Sequence, residues 1–132
     1  MGYQVSSLDE LGEGYGFRKI RKPLGVTAFG VNALVFPPHY DGPAHYHDHQ
    51  DELYFVHRGT ATFTIDDEDH EVAEGGLVHV ESTTPRRVSN RTDDDLVLFI
   101  VGGKGGYVER DGQLVSADDL AKRQAMSRGE MR

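Results

Sequence analysis

Turn signals divide this chain into short strand-like segments along nearly its whole length, and that punctuation limits the fold more than any other feature. Candidate strands fall at 16–21, 26–36, 45–49, 52–58, 60–65, 70–73, 77–81, 86–90, 96–101 and 106–109, each bounded by glycine, proline or acidic clusters. Many short strands at regular spacing are the pattern of an all-β sandwich or barrel. Sixteen glycines supply the turns. The run Asp66-Asp67-Glu68-Asp69 reads as a hairpin tip, and Thr92-Asp93-Asp94-Asp95 reads the same way ahead of the most apolar strand. Neither run has the oxygen-ligand spacing of a calcium loop. Two helices are expected, at 7–11 and 116–126. In the second, Ser116 can cap the first turn, acids open it, and Lys122, Arg123 and Arg128 gather towards its end, a charge order that suits the helix dipole. Leu120 alone gives that helix little apolar face.

Composition narrows the function. A chain of 132 residues with 37% hydrophobic residues is one domain long enough to bury a core. Its 22 acidic residues against 14 basic ones give a net charge of −8. Nucleic-acid binders carry a basic footprint and anionic membranes attract basic segments, so neither partner is expected. Cysteine is absent, which removes disulfides, thiolate ligands and a cysteine nucleophile. No basic start followed by an apolar stretch marks a secretory signal, and the longest apolar runs are too short to span a bilayer. The expectation is a soluble, cytoplasmic domain. Gly102-Gly103-Lys104-Gly105-Gly106 lacks the spacing of a phosphate-binding loop and reads as a turn. No nucleophile elbow is present.

Chemistry concentrates between the turn signal Pro37-Pro38 to Asp41-Gly42-Pro43 and Gly59. Residues two apart on a strand share a face, so His45, His47 and His49 can crowd one surface. Five residues after His47, Glu52 opens the apolar run Leu53-Tyr54-Phe55-Val56. Two imidazoles and a carboxylate on one face form a ligand set for a divalent transition metal that leaves coordination positions open. The remaining histidines read differently. By strand parity His57 and His79 face away from the interior, His70 lies beside an acidic turn in solvent, and His39 is a loop residue at a pocket mouth.

The pattern His45-x-His47-x4-Glu52-x6-Gly59 resembles the first conserved motif of the cupin superfamily. Glu74-Gly75-Gly76, Pro85 and Asn90 resemble the second, and the interval from Gly59 to Gly75 suits a compact single-domain member. The resemblance covers residues 42–90 and implies a double-stranded β-helix, a small antiparallel jelly-roll barrel with a central pocket, here followed by a short C-terminal helix. It divides the chain into an N-terminal arm and edge strand (1–25), the barrel (26–110), and a C-terminal helix and tail (111–132). It also implies metal ligation by His45, His47 and Glu52. The family's fourth ligand, a histidine directly after the second-motif proline, is replaced by Arg86, and arginine is not a metal ligand.

Three arrangements stay open at this point. His45, His47 and Glu52 hold a metal alone; His49 supplies the missing imidazole if the strand runs that far; or the metal is lost and Arg86 pairs with Glu52. Arg86 alternates in phase with Val88 and is expected to point inward, where a guanidinium needs Glu52 or a substrate carboxylate or phosphate. The resemblance implies a pocket for a small organic molecule and a divalent-metal-dependent enzyme of oxygenase or isomerase type, with Fe, Mn, Ni or Zn as cofactor. In that reading Arg86 orients an anionic substrate group, and Tyr54, or Tyr46, contributes a hydroxyl, with parity favouring Tyr54. Other readings are a metal-free module holding a small anion through Arg86, and a structural or oligomerisation domain. A small jelly roll leaves sheet edges to protect, and the family resemblance implies that a homodimer does so, with the strand at 16–21 as a candidate for edge pairing.

Overall fold

The computed structural model describes residues 2–128. The strands are β1 (Gly16–Lys19), β2 (Gly30–Phe36), β3 (Tyr40–Asp41), β4 (His45–His47), β5 (Asp51–Arg58), β6 (Ala61–Ile65), β7 (Glu68–Val72), β8 (Leu77–Val80), β9 (Arg86–Asn90), β10 (Leu96–Gly103) and β11 (Gly112–Leu114). All pairings are antiparallel. One sheet runs β1-β2-β10-β5-β8; the other runs β11-β4-β9-β6-β7, with β3 also on β9. The two sheets close over a shared core as a double-stranded β-helix, followed by a C-terminal helix, α2 (Ala117–Arg128).

Alternation along β5 sets the layering. Glu52, Tyr54 and Val56 point between the sheets and are buried, whereas Leu53, Phe55 and His57 point outward. In β10, Leu98 lies opposite Val56 and is also fully buried. The Tyr54 ring meets Phe63 of β6 edge-on, with centroids 5.1 Å apart, tying the two sheets together. At the end of β5, Gly59 takes φ +85°, and a Cβ there would lie 2.6 Å from the Asp95 carbonyl. Glycine is therefore required where β5 turns beneath the 91–95 connection.

Several element boundaries differ from the sequence reading, each for a local reason. The strand at 45–49 stops at His47, and the chain bends at Asp48 and His49. The hairpin between β6 and β7 needs only Asp66 and Asp67, both at positive φ (52° and 61°), so β7 starts at Glu68 rather than His70. Residues 92–95 form no hairpin: they cross from β9 in one sheet to β10 in the other. The strand expected at 26–36 starts at Gly30, after a single helical turn, α1 (Arg21–Leu24), that the sequence reading missed and that Gly25 ends at φ 69°. The expected helix at 7–11 is one 3₁₀ turn, Asp9–Leu11. No strand forms at 106–109; the pairing segment is β11, because Gly112–Leu114 registers against β4.

Helix α2 is anchored by residues other than Leu120, which is 47% exposed. Met126 enters the core at 3% exposure. Asp119 accepts the Ala44 N–H at 3.0 Å and the Ser116 hydroxyl at 2.7 Å, and lies 3.3 Å from Arg87 Nη2. Ser116 Oγ accepts the Asp119 N–H at 3.2 Å, as an N-cap should. Burial pushes the Asp119 carboxyl up, but these donors and the Arg87 charge outweigh it and hold it below the usual carboxylate range. The tail beyond residue 128 lies outside the described residues. Among the described residues no helix is long and apolar enough to cross a membrane.

Candidate metal centre

Two sheets each contribute part of one cluster. β4, in the second sheet, carries His45 and His47 on one face, with Tyr46 between them on the other. β5, in the first sheet, carries Glu52, which lies opposite Val80 on one side and Gly102 on the other. One nitrogen from each histidine and one oxygen of Glu52 all lie within 4.8 Å of one another. His45 Nε2 faces Glu52 Oε1 at 3.4 Å and His47 Nε2 faces it at 3.2 Å. The two imidazole rings meet edge to face with centroids 5.3 Å apart.

Glu52 is the hub. Its Oε1 accepts the Tyr54 hydroxyl at 2.6 Å, and its Oε2 accepts the Gln50 side-chain amide at 3.2 Å. Gly102 makes room for Gln50, since a Cβ there would lie 2.7 Å from the carboxamide carbon. Burial raises the Glu52 pKa, but the hydrogen bonds and charge of His45 and His47 outweigh it and hold the carboxyl well below the usual range. Tyr54 is pushed the other way: burial, then the neighbouring Glu52 charge, raises its pKa well above the ordinary phenol value. Its proton therefore stays on Oη and is donated to Glu52.

The donor set fits a divalent transition metal. Imidazole nitrogen and carboxylate oxygen are the ligands such ions take, and one ion can be shared by three atoms this close. Neither ring nitrogen of buried His47 makes a well-aligned hydrogen bond among the described residues, although Nε2 lies 3.2 Å from Glu52 Oε1, so both atoms face each other as ligands of one ion would. On the far side of that ring, Asp111 Oδ2 lies 3.7 Å from Nδ1. Asp111 also accepts the backbone N–H of His49 at 2.9 Å and of Gln50 at 2.7 Å, pinning the bend between the ligand strands. A carboxylate behind a ligand imidazole is the usual orienting partner in metal sites.

His49 takes no place in the cluster. Because β4 ends at His47, His49 turns into solvent and only its backbone N–H is engaged. Arg86 points inward as parity indicated, and its side chain is 0% exposed. It lies behind Glu52, with Nη1 3.9 Å from Oε1, and Nη2 donates to the carbonyls of Val80 (3.4 Å) and Glu81 (3.0 Å). It does not line the cavity described below, where Glu52 and Tyr54 do, and its charge stands behind Glu52 in the core. Tyr54 lines the cavity. His39 does not; it pairs with Asp93 at 2.6 Å on the surface. His57 packs edge-on against Phe99 on the outer face, and His70 and His79 are exposed.

The cluster opens onto a cavity of about 490 Å³ between the sheets. Its apolar wall includes Leu34, Phe36, Val88, Ile100 and Met126, and its rim includes Arg21, Tyr107, Arg110 and Arg123. Gln50 and Asp111 were missed in the sequence. Gln50 shares the parity of Glu52 and Tyr54 and was within reach of that argument, whereas Asp111 has no local signal.

A family model described as a cupin domain matches residues 33–102. No curated protein matches the sequence. Among solved structures, a cupin protein from Bacteroides fragilis is 23% identical, with TM-score 0.69 over 83% of this chain and 90% of its own. An uncharacterized conserved protein with a double-stranded β-helix domain from Klebsiella pneumoniae is 14% identical, with TM-score 0.72 over 86% and 97%. A protein from Silicibacter pomeroyi described as a sugar phosphate isomerase from a cupin superfamily is 20% identical, with TM-score 0.65 over 88% and 86%. Likeness at these identities carries the fold.

Proposed function

The chain belongs to the cupin domain family, and on that premise we propose that it is a divalent-metal-dependent enzyme acting on a small organic molecule held between its sheets. The observation that carries this reading is the convergence of His45, His47 and Glu52 within 4.8 Å at the wall of the cavity. When bound, an Fe, Mn, Ni or Zn ion supplies Lewis acidity towards substrate oxygens or, for iron, dioxygen chemistry. His45, His47 and Glu52 would hold it. Tyr54, with its proton on Oη, and Gln50 fix the Glu52 carboxylate from two sides. Asp111 places a negative charge 3.7 Å behind the His47 ring, and an apolar wall lines the rest of the cavity. The description of the Silicibacter pomeroyi neighbour supports the isomerase form of this reading.

Thermal unfolding of protein free of a polyhistidine tag, with each of Mn, Fe(II), Ni and Zn in turn, tests it. An ion present at about 100 times its Kd adds about 2.7 kcal/mol of stability, which for a domain of this size raises Tm by roughly 5–10 °C. At least one metal is expected to do so, and Glu52→Gln is expected to abolish the rise. Unchanged melting with all four ions would remove the metalloenzyme reading.

We also propose that two copies pair through the outer face of the first sheet. Leu53, Phe55, Leu77 and Val101 stand there 36–62% exposed, next to edge strand β8. Light scattering is expected to give twice the chain mass; a monomer mass overturns the pairing.

A further inference from the structure

The cavity rim carries a second chemistry that the metal ligands do not use. Five of the 14 basic residues, Lys19, Arg21, Lys22, Arg110 and Arg123, line this one cavity, in a chain whose net charge is −8. Among the described residues none of the five is paired with a carboxylate, whereas Arg86, Arg87, Arg91 and Lys104 elsewhere each are. With 22 acidic residues available, leaving the rim cations unpaired concentrates positive potential at the entrance.

Two of them are also held in place. The Arg21 guanidinium lies 3.8 Å from the centroid of the Tyr107 ring, and that of Arg123 lies 4.5 Å from the centroid of Phe17. Both rings line the same cavity. Stacking uses the flat face of a guanidinium and leaves its N–H edge free, so each ring fixes an arginine without satisfying its donors. The arms come from different elements: Arg21 from α1 and Arg123 from α2. Both lie outside residues 33–102, the stretch matched by the family model.

We propose that Arg21 and Arg123 form a two-armed clamp for the carboxylate or phosphate group of a small organic acid, whose other oxygens face His45, His47 and Glu52. The clamp rests on the proposed metal site only for the second half of that statement; anion capture at the rim stands without it. The planar N–H fork suits either oxyanion, and the unpaired cations around it favour an anion over a neutral analogue, so charge is the selecting property.

Calorimetric titration of the full chain, metal-loaded and metal-free, with inorganic phosphate, succinate and the neutral analogue succinamide tests this. Phosphate or succinate is expected to bind and succinamide not, with binding that weakens as salt is raised. Tighter phosphate assigns a phosphorylated ligand, and tighter succinate a carboxylic acid. Arg21→Gln and Arg123→Gln are each expected to weaken that binding by about 10-fold or more, with metal stoichiometry unchanged. Arg21→Lys with Arg123→Lys, keeping charge and losing the fork, is expected to fall between. Anion affinity unchanged in the double glutamine variant, with metal still bound, overturns the clamp and leaves the metal reading standing. Anion captured through both arginines by a protein that binds no metal upholds the clamp and removes the metal reading.

Discussion

Replacing Arg86 with alanine is expected to cost the metal-free protein about 3–5 kcal/mol, the range for stripping one partner from a buried ion pair. The guanidinium is completely enclosed, lies 3.9 Å from Glu52 Oε1 and donates to the Val80 and Glu81 carbonyls. Its loss leaves a buried carboxylate without a cation, two carbonyls without a donor, and the volume of a large side chain empty. Chemical denaturation should show the loss directly, and in thermal melts Tm should fall by about 10 °C or more. Added metal is expected to restore part of it, because an ion beside Glu52 returns the missing positive charge. A loss below about 1 kcal/mol would contradict the role of counter-ion. Arg86→His makes the complementary test. It removes a fixed positive charge from the site and places an imidazole where the family resemblance puts a fourth ligand. Metal affinity is expected to rise by about 10-fold or more, and an unchanged affinity would show that Arg86 does not limit the site.

Asp111→Ala is expected to lower stability by about 2–4 kcal/mol, because one carboxylate oxygen accepts two backbone N–H groups and an orphaned buried donor costs about 1–3 kcal/mol. Those donors belong to His49 and Gln50, in the bend that joins the strand carrying His45 and His47 to the strand carrying Glu52. The same oxygen lies 3.7 Å from His47 Nδ1. Metal affinity should therefore fall with stability, by about 10–100-fold, as when the orienting partner of a ligand histidine is lost. Asp111→Asn separates the two roles. It keeps an acceptor for the bend and removes the charge behind His47, so most of the stability should remain while metal affinity drops. Affinity equal to wild type in both variants would reduce Asp111 to a structural tether.

What the sequence made legible follows from the range of each interaction. The grouping of His45, His47 and Glu52 rests on period-two alternation and one short connection, so it could be read from spacing. An all-β sandwich or barrel followed from turn punctuation, and the resemblance of residues 42–90 to the two cupin motifs selected the double-stranded β-helix. Parity also oriented Arg86, His57 and His79. The exclusion of His49 was not legible, because it depends on Asp111, about sixty residues away, ending β4 by capturing the next two N–H groups. Arg86 could be seen to point inward but not to sit behind Glu52 and outside the cavity, since its depth is set by Val80 and Glu81 on a neighbouring segment. Helix α2 offered only Leu120 as an apolar contact, yet it docks through Met126 and the buried Asp119, whose partner Ala44 lies 75 positions earlier. The rim arginines were invisible for the same reason: their stacking rings, Tyr107 and Phe17, are brought to them only by the closed fold.

The central claim is that His45, His47 and Glu52 hold a metal, and elemental analysis of tag-free protein after metal loading and desalting tests it most directly. The account predicts about one equivalent of a divalent transition metal per wild-type chain and essentially none in the His45→Ala/His47→Ala variant. No metal on the wild-type protein, or equal metal on both proteins, would contradict it.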